Sequence, residues 1–216
     1  EQWLAWIEDT QGDETYRLFI KRLPDGAAQR LLDDIGPELC WAEDGQTLLF
    51  TRYDATQRPD SAWRLGLSLD AVSGDAGVET DELILREDDA EFWIGLGKTR
   101  SRAWLTIEAA SKDTSETHLV PAHAPATPPH CFQPRRPGVE YALDHRPGHF
   151  YVLHNEGLVH FQLEVENEDR CGQRQVLVPH RQEATLEGVD AYAWGLVIAE
   201  RDHLEAQVRL RRLEFD

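Results

Sequence analysis

The stretch CWAEDGQTLLFTRY (residues 40–53) reads as strand, turn, strand. Cys40-Trp41 opens it with a short apolar pair. Asp44-Gly45 then supplies turn chemistry, because an aspartate carboxylate bonds backbone N–H groups two residues on and glycine takes a positive φ without steric cost. Leu48 to Tyr53 follow at strand length, and Ala62 to Leu69 give another run after the polar ATQRPDS (residues 55–61). Apolar runs this short, bounded by Asp, Gly and Pro and never holding a 3.6-residue period for three turns, argue for an all-β chain.

Outward from this stretch, similar runs recur at Leu4 to Ile7, Tyr16 to Leu23, Leu83 to Leu85, Phe92 to Leu96, Arg102 to Glu108 and Thr117 to Val120. They continue at Tyr141 to Leu143, His149 to His154, Val159 to Val165, Gln175 to Val178, Gly195 to Glu200 and Ala206 to Leu213. Strand cores anchored at Leu4, Leu48, Leu105, Phe150 and Leu196 lie 44, 57, 45 and 46 residues apart. Each unit opens on a strand carrying an aromatic residue or a cysteine (Cys40-Trp41, Phe92-Trp93, Tyr141, Tyr192), passes a turn such as Asp44-Gly45 or Pro147-Gly148, and adds two or three strands. A four-stranded propeller blade takes about 40–50 residues, whereas a β-sandwich needs no repeat at this longer period. The expectation is an all-β, incomplete β-propeller of about four to five blades, with residues 1–216 forming one partial propeller domain. Open sheet edges are expected at both ends, a feature that invites strand pairing with another copy and so an edge-mediated homodimer. The proline-rich HAPATPPH (residues 123–130) lies inside one repeat and reads as an inter-strand loop.

The 40 Asp and Glu outnumber the 22 Lys and Arg, for a net charge of −18. Nucleic acid is therefore not an expected partner, since phosphate binding needs a basic footprint. A negative surface favours solubility or salt tolerance and can steer cationic peptides. No apolar run is long enough to cross a membrane, and the start EQWLAWIEDTQGDE has no basic n-region or long apolar h-region, so no membrane partner is expected. The chain has no methionine and begins at Glu1 within a strand-like run, from which a larger parent polypeptide is expected. Cys40, Cys131 and Cys171 lack CxxC spacing, which suggests free thiols in a reducing compartment.

No motif assigns a cofactor or metal. GLGKT (residues 95–99) has Phe92 where a P-loop needs its first glycine, and RAWLTIE follows as a strand where the phosphate-holding helix should begin. His145 and His149 have i, i+4 spacing, but Pro147-Gly148 between them enforces a turn. His118, His130, His154, His160 and His180 are scattered. Ser68 in GLSLD and Ser73 in AVSGD lack the second glycine and following helix of a nucleophile elbow, so the chain is expected to be catalytically inert by itself. Arg135-Arg136, beside Glu140, could hold carboxylates bidentately or form a salt bridge between blades or domains; these three residues are the candidate gate or interdomain contacts.

Three ordered segments, CWAEDGQTLLFTRYDATQRPDSAWR (40–64), KTRSRAWLTIEAASKDTSETHLV (98–120) and QPRRPGVEYALDH (133–145), supported by VPHRQEATLEG (178–188), resemble the oligopeptidase B branch of the prolyl oligopeptidase family. The matching positions are Trp41, Arg52, Asp54, Arg58, Pro59, Trp63 and Arg64; then Lys98, Thr99, Ser101, Thr114, Ser115 and Glu116; then Pro134, Arg135, Arg136, Glu140, Tyr141, Asp144 and His145. Tyr53 departs from the pattern, whose aromatic falls one position earlier. The resemblance implies a seven-bladed propeller capping an α/β-hydrolase domain with a Ser-Asp-His triad. It further implies a cytoplasmic peptidase that cuts short peptides after Arg or Lys, with the propeller excluding folded proteins. The triad would lie in the hydrolase domain, outside this chain, so no catalytic residue is carried over. The rival reading is a stand-alone propeller that binds a protein or peptide without catalysis.

Overall fold

The computed structural model describes residues 2–170, 172–202 and 205–212, so Cys171 and the end of the strand expected at Leu213 lie outside the described residues. The described residues form eighteen strands and no helix. The first sheet is β1 (Trp3–Glu8), β2 (Tyr16–Arg22) and β3 (Gln29–Ile35), and the second is β4 (Leu39–Trp41), β5 (Thr47–Tyr53), β6 (Pro59–Leu69) and β7 (Ala76–Arg86). The third holds β8 (Trp93–Lys98), β9 (Trp104–Ala110), β10 (Ser115–Pro121) and β11 (His130–Gln133). The fourth holds β12 (Tyr141–Arg146), β13 (His149–His154), β14 (Gln162–Asn167) and β15 (Arg174–Val178), and the fifth β16 (Ala184–Tyr192), β17 (Gly195–Asp202) and β18 (Glu205–Arg212). In every sheet each strand lies beside its neighbour in sequence, the meander of a propeller blade.

The turn at 44–45 forms for the reasons its residues suggest. Asp44 Oδ1 accepts from the N–H groups of Gln46 (3.0 Å) and Thr47 (2.9 Å), and Oδ2 accepts from Thr47 Oγ1 at 2.6 Å. Gly45 takes φ 73°, which closes β4 onto β5 with Cys40 opposite Leu49 and Trp41 opposite Leu48. Gly148, at φ 88°, does the same between β12 and β13, pairing Arg146 with His149.

The anchors Leu48, Leu105, Phe150 and Leu196 all fall in the second strand of their sheets, whereas Leu4 falls in the first strand of a three-stranded sheet. Several strands exceed or escape the sequence reading. β3 (QRLLDDI) carries Asp33-Asp34 before its last residue and lacks alternation, and β16 (ATLEGVDAY) is interrupted by a bulge between Leu186 and Gly188. Tyr192 accordingly closes β16 instead of opening a unit. β7 spans eleven residues, far more than Leu83 to Leu85, because its middle, Glu79 to Glu82, is exposed and polar and is held by backbone pairing to β6. His130, read as loop, begins β11.

Burial follows the alternation of the inner strands. Leu18, Ile20 and Ile35 pack with Leu48, Phe50, Leu65 and Leu67 between the first and second sheets. Leu49 and Ala62 pack with Phe92, Ile94, Leu105, Ile107 and Val120 between the second and third. Tyr151, Leu153 and Leu163 pack with Leu186, Ala191, Leu196 and Ile198 between the fourth and fifth. β5 is buried on both faces from Thr47 to Thr51, which is why its sequence reads as a continuous apolar run.

The chain divides into two compact units. One comprises Glu1–Gly97, Leu105–Ser111 and His118–His130; the other comprises Lys98–Trp104, Lys112–Thr117 and Cys131–Asp216. The residues of the third sheet are apportioned between them.

Candidate functional site

The gate candidates fall on the connection from β11 to β12. Arg136 makes a two-pronged pair with Glu156, its NH2 donating to Oε2 at 2.6 Å. It therefore spends its fork on the β13–β14 turn and not on Glu140. The Arg135 N–H donates to Glu116 Oε2 at 2.9 Å. Glu140 engages Asn155 through its N–H (2.8 Å to Oδ1) and accepts from Asn155 Nδ2 at 3.3 Å. The three residues thus lie on one loop but do not converge on a shared point; each is tied to a different partner.

Around that loop the second and third sequence motifs meet. Ser115 Oγ accepts from the Tyr141 N–H (2.7 Å) and donates to the Tyr141 carbonyl (2.9 Å). Buried Tyr141 donates its hydroxyl to the Gln133 carbonyl (2.8 Å) and accepts from the Thr117 N–H (2.7 Å); burial pushes its phenol up to about 12. Thr114 Oγ1 accepts from the Gly138 N–H at 3.0 Å. Cys131, beside Glu116, is a half-buried thiol pushed up to about 11 by burial first and by the Glu116 carboxylate second, so it remains protonated near neutrality.

The neighbouring pair Asp144-His145 organises a second network. Asp144 Oδ1 accepts from the N–H groups of Arg100 and His145, both at 2.8 Å, and Oδ2 accepts from the Ala191 N–H at 2.7 Å. Burial pushes its carboxyl up, and the three backbone donors pull it back. His145 Nδ1 bonds Ser101 Oγ at 2.7 Å, and Nε2 lies 3.4 Å from Glu168 Oε2. The order Ser101, His145, Glu168 imitates a nucleophile relay, but the setting differs. His145 is 1 % exposed, its ring is packed by Trp104 and Phe150, and Ser101 Oγ also accepts from the Ala103 N–H (3.1 Å) and contacts Thr99 Oγ1 at 2.9 Å. A nucleophile needs an exposed oxygen and a base with room to move, so this cluster acts as packing. Sequence reasoning named Ser101, Asp144 and His145 as motif positions without seeing that they touch.

The first motif is a set of staples. Arg58 donates Nε to Asp54 Oδ2 (2.9 Å), NH1 to the carbonyls of Asp89 (2.9 Å) and Phe92 (2.6 Å), and NH2 to that of Glu87 (3.1 Å). The Thr56 hydroxyl first, then the backbone N–H groups of Thr56 and Arg58 and the Arg58 guanidinium, hold the Asp54 carboxyl well below the usual carboxylate range. Arg52 lies over the rings of Trp63 (4.2 Å) and Phe50 (5.2 Å) and pairs with Asp81 at 2.7 Å. Arg64 reaches the Pro125 carbonyl (2.6 Å) and Glu82 (2.5 Å). GLGKT lies across β8, so its amides serve a sheet and not a phosphate. Ser68 lies in β6, and Ser73 sits in a turn where its N–H donates to Asp70 Oδ1 at 3.2 Å.

Comparison with known proteins places these features. The family described as "Prolyl oligopeptidase, N-terminal beta-propeller domain" matches residues 1–215. "Protease 2" of Moraxella lacunata is 30% identical over 211 residues, which cover 95% of this chain and 29% of that protein. "Dipeptidyl aminopeptidase BI" of Pseudoxanthomonas mexicana is 27% identical over 214 residues, covering 96% of this chain and 28% of that protein. The chain thus spans less than a third of the length of these relatives. Oligopeptidase B from Leishmania major shares the fold, with a TM-score of 0.86 at 24% identity over 99% of this chain and 30% of that one. From Leu4 to the last sheet, the repeated meander, its stapling arginines and the matched span lead to one assignment: this chain belongs to the N-terminal β-propeller domain family of the prolyl oligopeptidases.

Proposed function

We propose that the chain is the substrate-access scaffold of a cytoplasmic serine oligopeptidase that cuts short peptides after Arg or Lys. Its natural partner is then an α/β-hydrolase domain elsewhere in the same parent polypeptide. The observation that carries this reading is the 30% identity to a protein named Protease 2 across 95% of this chain but only 29% of that protein. The contribution of the scaffold is steric and electrostatic: it passes flexible peptides, and its net charge of −18 favours cationic ones. Acyl transfer proceeds at a serine outside this chain. None of Arg135, Arg136 and Glu140 touches substrate in this reading; Arg136 with Glu156 keeps the β11–β12 connection in place.

Hydrolysis of a short Arg-containing chromogenic peptide by this chain and by a full-length parent, side by side, tests the reading. Cleavage by the parent alone is the expected result. Cleavage by this chain would overturn the placement of the nucleophile elsewhere, and cleavage by neither would favour a stand-alone peptide-binding propeller. A second expectation concerns the isolated chain. β18 pairs with β17 on one side only and exposes Val208 (71 %) and Leu210 (66 %), an edge suited to pairing with a second copy. Light scattering at high concentration should show a dimer, and a strictly monomeric species would contradict it.

A further inference from the structure

The third sheet gathers three side chains of metal-ligating type. Glu116 and His118 stand two residues apart on β10, so their side chains leave the same face of the strand. Cys131 lies on β11, the hydrogen-bonded neighbour of β10. One ligating atom from each, a carboxylate oxygen, an imidazole nitrogen and the thiol sulfur, lie within 4.8 Å of one another, and all three residues are half-buried. Along the chain they are dispersed over residues 116–131 without ligand spacing, and the pairing of β10 with β11 makes the cluster.

The surroundings suit a cation. The Arg135 N–H donates to Glu116 Oε2 at 2.9 Å and so orients the carboxylate, the kind of supporting contact that fixes metal ligands. The Cys131 thiol is hydrogen-bonded to the same carboxylate, so its proton stands between a sulfur and an oxygen that a divalent cation can bridge. Burial and the neighbouring carboxylate disfavour a bare thiolate; a bound cation reverses that balance, because a coordinating thiol is deprotonated outright. Thiolate, imidazole and carboxylate form a borderline-soft set, which suits Zn²⁺ and not Mg²⁺ or Ca²⁺, whose ligands are oxygens. The place also gives an ion structural work: β11 is four residues long and forms the edge of its sheet, after the proline-rich connection 122–129.

We propose that Glu116, His118 and Cys131 bind a Zn²⁺ ion, with water in the fourth tetrahedral position, and that the ion clips β11 to β10. Binding forms a sulfur–zinc bond and releases the Cys131 proton to solvent, with no electron transferred. The proposal does not rest on the peptidase reading, since all three ligands lie in this chain. The test takes the 216-residue chain, stripped of metal with a chelator and then loaded with Zn²⁺ or Co²⁺. X-ray absorption of the zinc form should show a sulfur at about 2.3 Å beside nitrogen or oxygen at about 2.0–2.2 Å, and the cobalt form should show a thiolate-to-metal charge-transfer band. Zinc should protect Cys131, and not Cys40, from iodoacetamide in peptide mapping. Cys131→Ser should remove the cobalt band and weaken zinc, in competition with a chromophoric chelator, by at least about a hundredfold, since loss of a supporting contact alone costs about 10–100-fold. His118→Gln should weaken zinc by at least about tenfold while the band remains. Zinc should also raise the thermal midpoint of the original chain, and an unchanged midpoint would overturn the clip. A zinc form without a sulfur neighbour, a Cys131 alkylated as fast with zinc as without it, or a Cys131→Ser chain that binds zinc as tightly as the original would each overturn the site. Absorption and alkylation are read on the unaltered chain, so a variant that fails to fold leaves the proposal exposed to both.

Discussion

Arg58 shows how a charge inside a motif can be structural: one guanidinium satisfies the carbonyls of Glu87, Asp89 and Phe92 and the Asp54 carboxylate. Arg58→Ala should cost about 2–4 kcal/mol in urea unfolding, because several acceptors lose a charged donor, and Arg58→Lys should recover little of it, since a lysine lacks the planar fork. His145 gives a pH signature. Burial lowers its pKa below the ordinary 6.5, with Glu168 opposing. The unfolded chain therefore binds the proton more tightly, and stability is full above 6.5 and declines as pH falls from there toward the lowered value. His145→Gln should flatten that slope in denaturation measured between neutrality and mild acid. Cys131, with its thiol pushed up to about 11, should alkylate roughly a hundredfold more slowly at pH 8 than an ordinary cysteine, and Glu116→Gln should speed it. In the sequence Arg58 and His145 were visible as motif positions and Cys131 as a cysteine without CxxC spacing. Their partners were not, because a guanidinium that reaches 29 to 34 residues along the chain leaves no local pattern.

At the scale of the element, strands with local punctuation were legible and strands without it were not. Asp44-Gly45 and Pro147-Gly148 carry their own turn chemistry, and both place a glycine at positive φ. Gly148→Val should therefore destabilise by about 1–2 kcal/mol through backbone strain, read as a lower thermal midpoint, while the same change at the extended Gly95 in β8 avoids that φ penalty. β3 and β16 escaped because one carries Asp33-Asp34 inside it and the other is broken by a bulge. What keeps them in place is hairpin pairing to β2 and β17, which backbone groups make whatever the side-chain pattern. Tyr141 marks the same limit. Its hydroxyl joins β12 to the Gln133 carbonyl and the Thr117 N–H, and Tyr141→Phe should lose about 1–3 kcal/mol because the Thr117 N–H is left buried without its acceptor. A tyrosine that opens a strand reads as core from sequence; its role as a clasp depends on where β10 and β11 come to lie.

For the whole molecule, composition controls solution behaviour more than shape. With a net charge of −18 the folded chain repels itself, so its thermal midpoint should rise as salt is raised from about 0.01 to 0.15 M, over which the screening length shortens from roughly 30 to 8 Å; an unchanged midpoint would mean that the local pairs of the arginines already balance the acidic groups. The blade-sized repeat was legible at this scale, because Leu48, Leu105, Phe150 and Leu196 each anchor the second strand of a meander of similar length, which spaces them 57, 45 and 46 residues apart. The gate candidates were not. Arg135, Arg136 and Glu140 are neighbours in sequence, yet the fold sends them to Glu116, Glu156 and Asn155. The sequence by itself determined the all-β class, the strand-turn chemistry and the family, since periodicity, turn residues and ordered motifs are properties of the chain read locally. Only the tertiary structure decided which polar groups are partnered, because hydrogen-bond satisfaction depends on which distant strands are brought together.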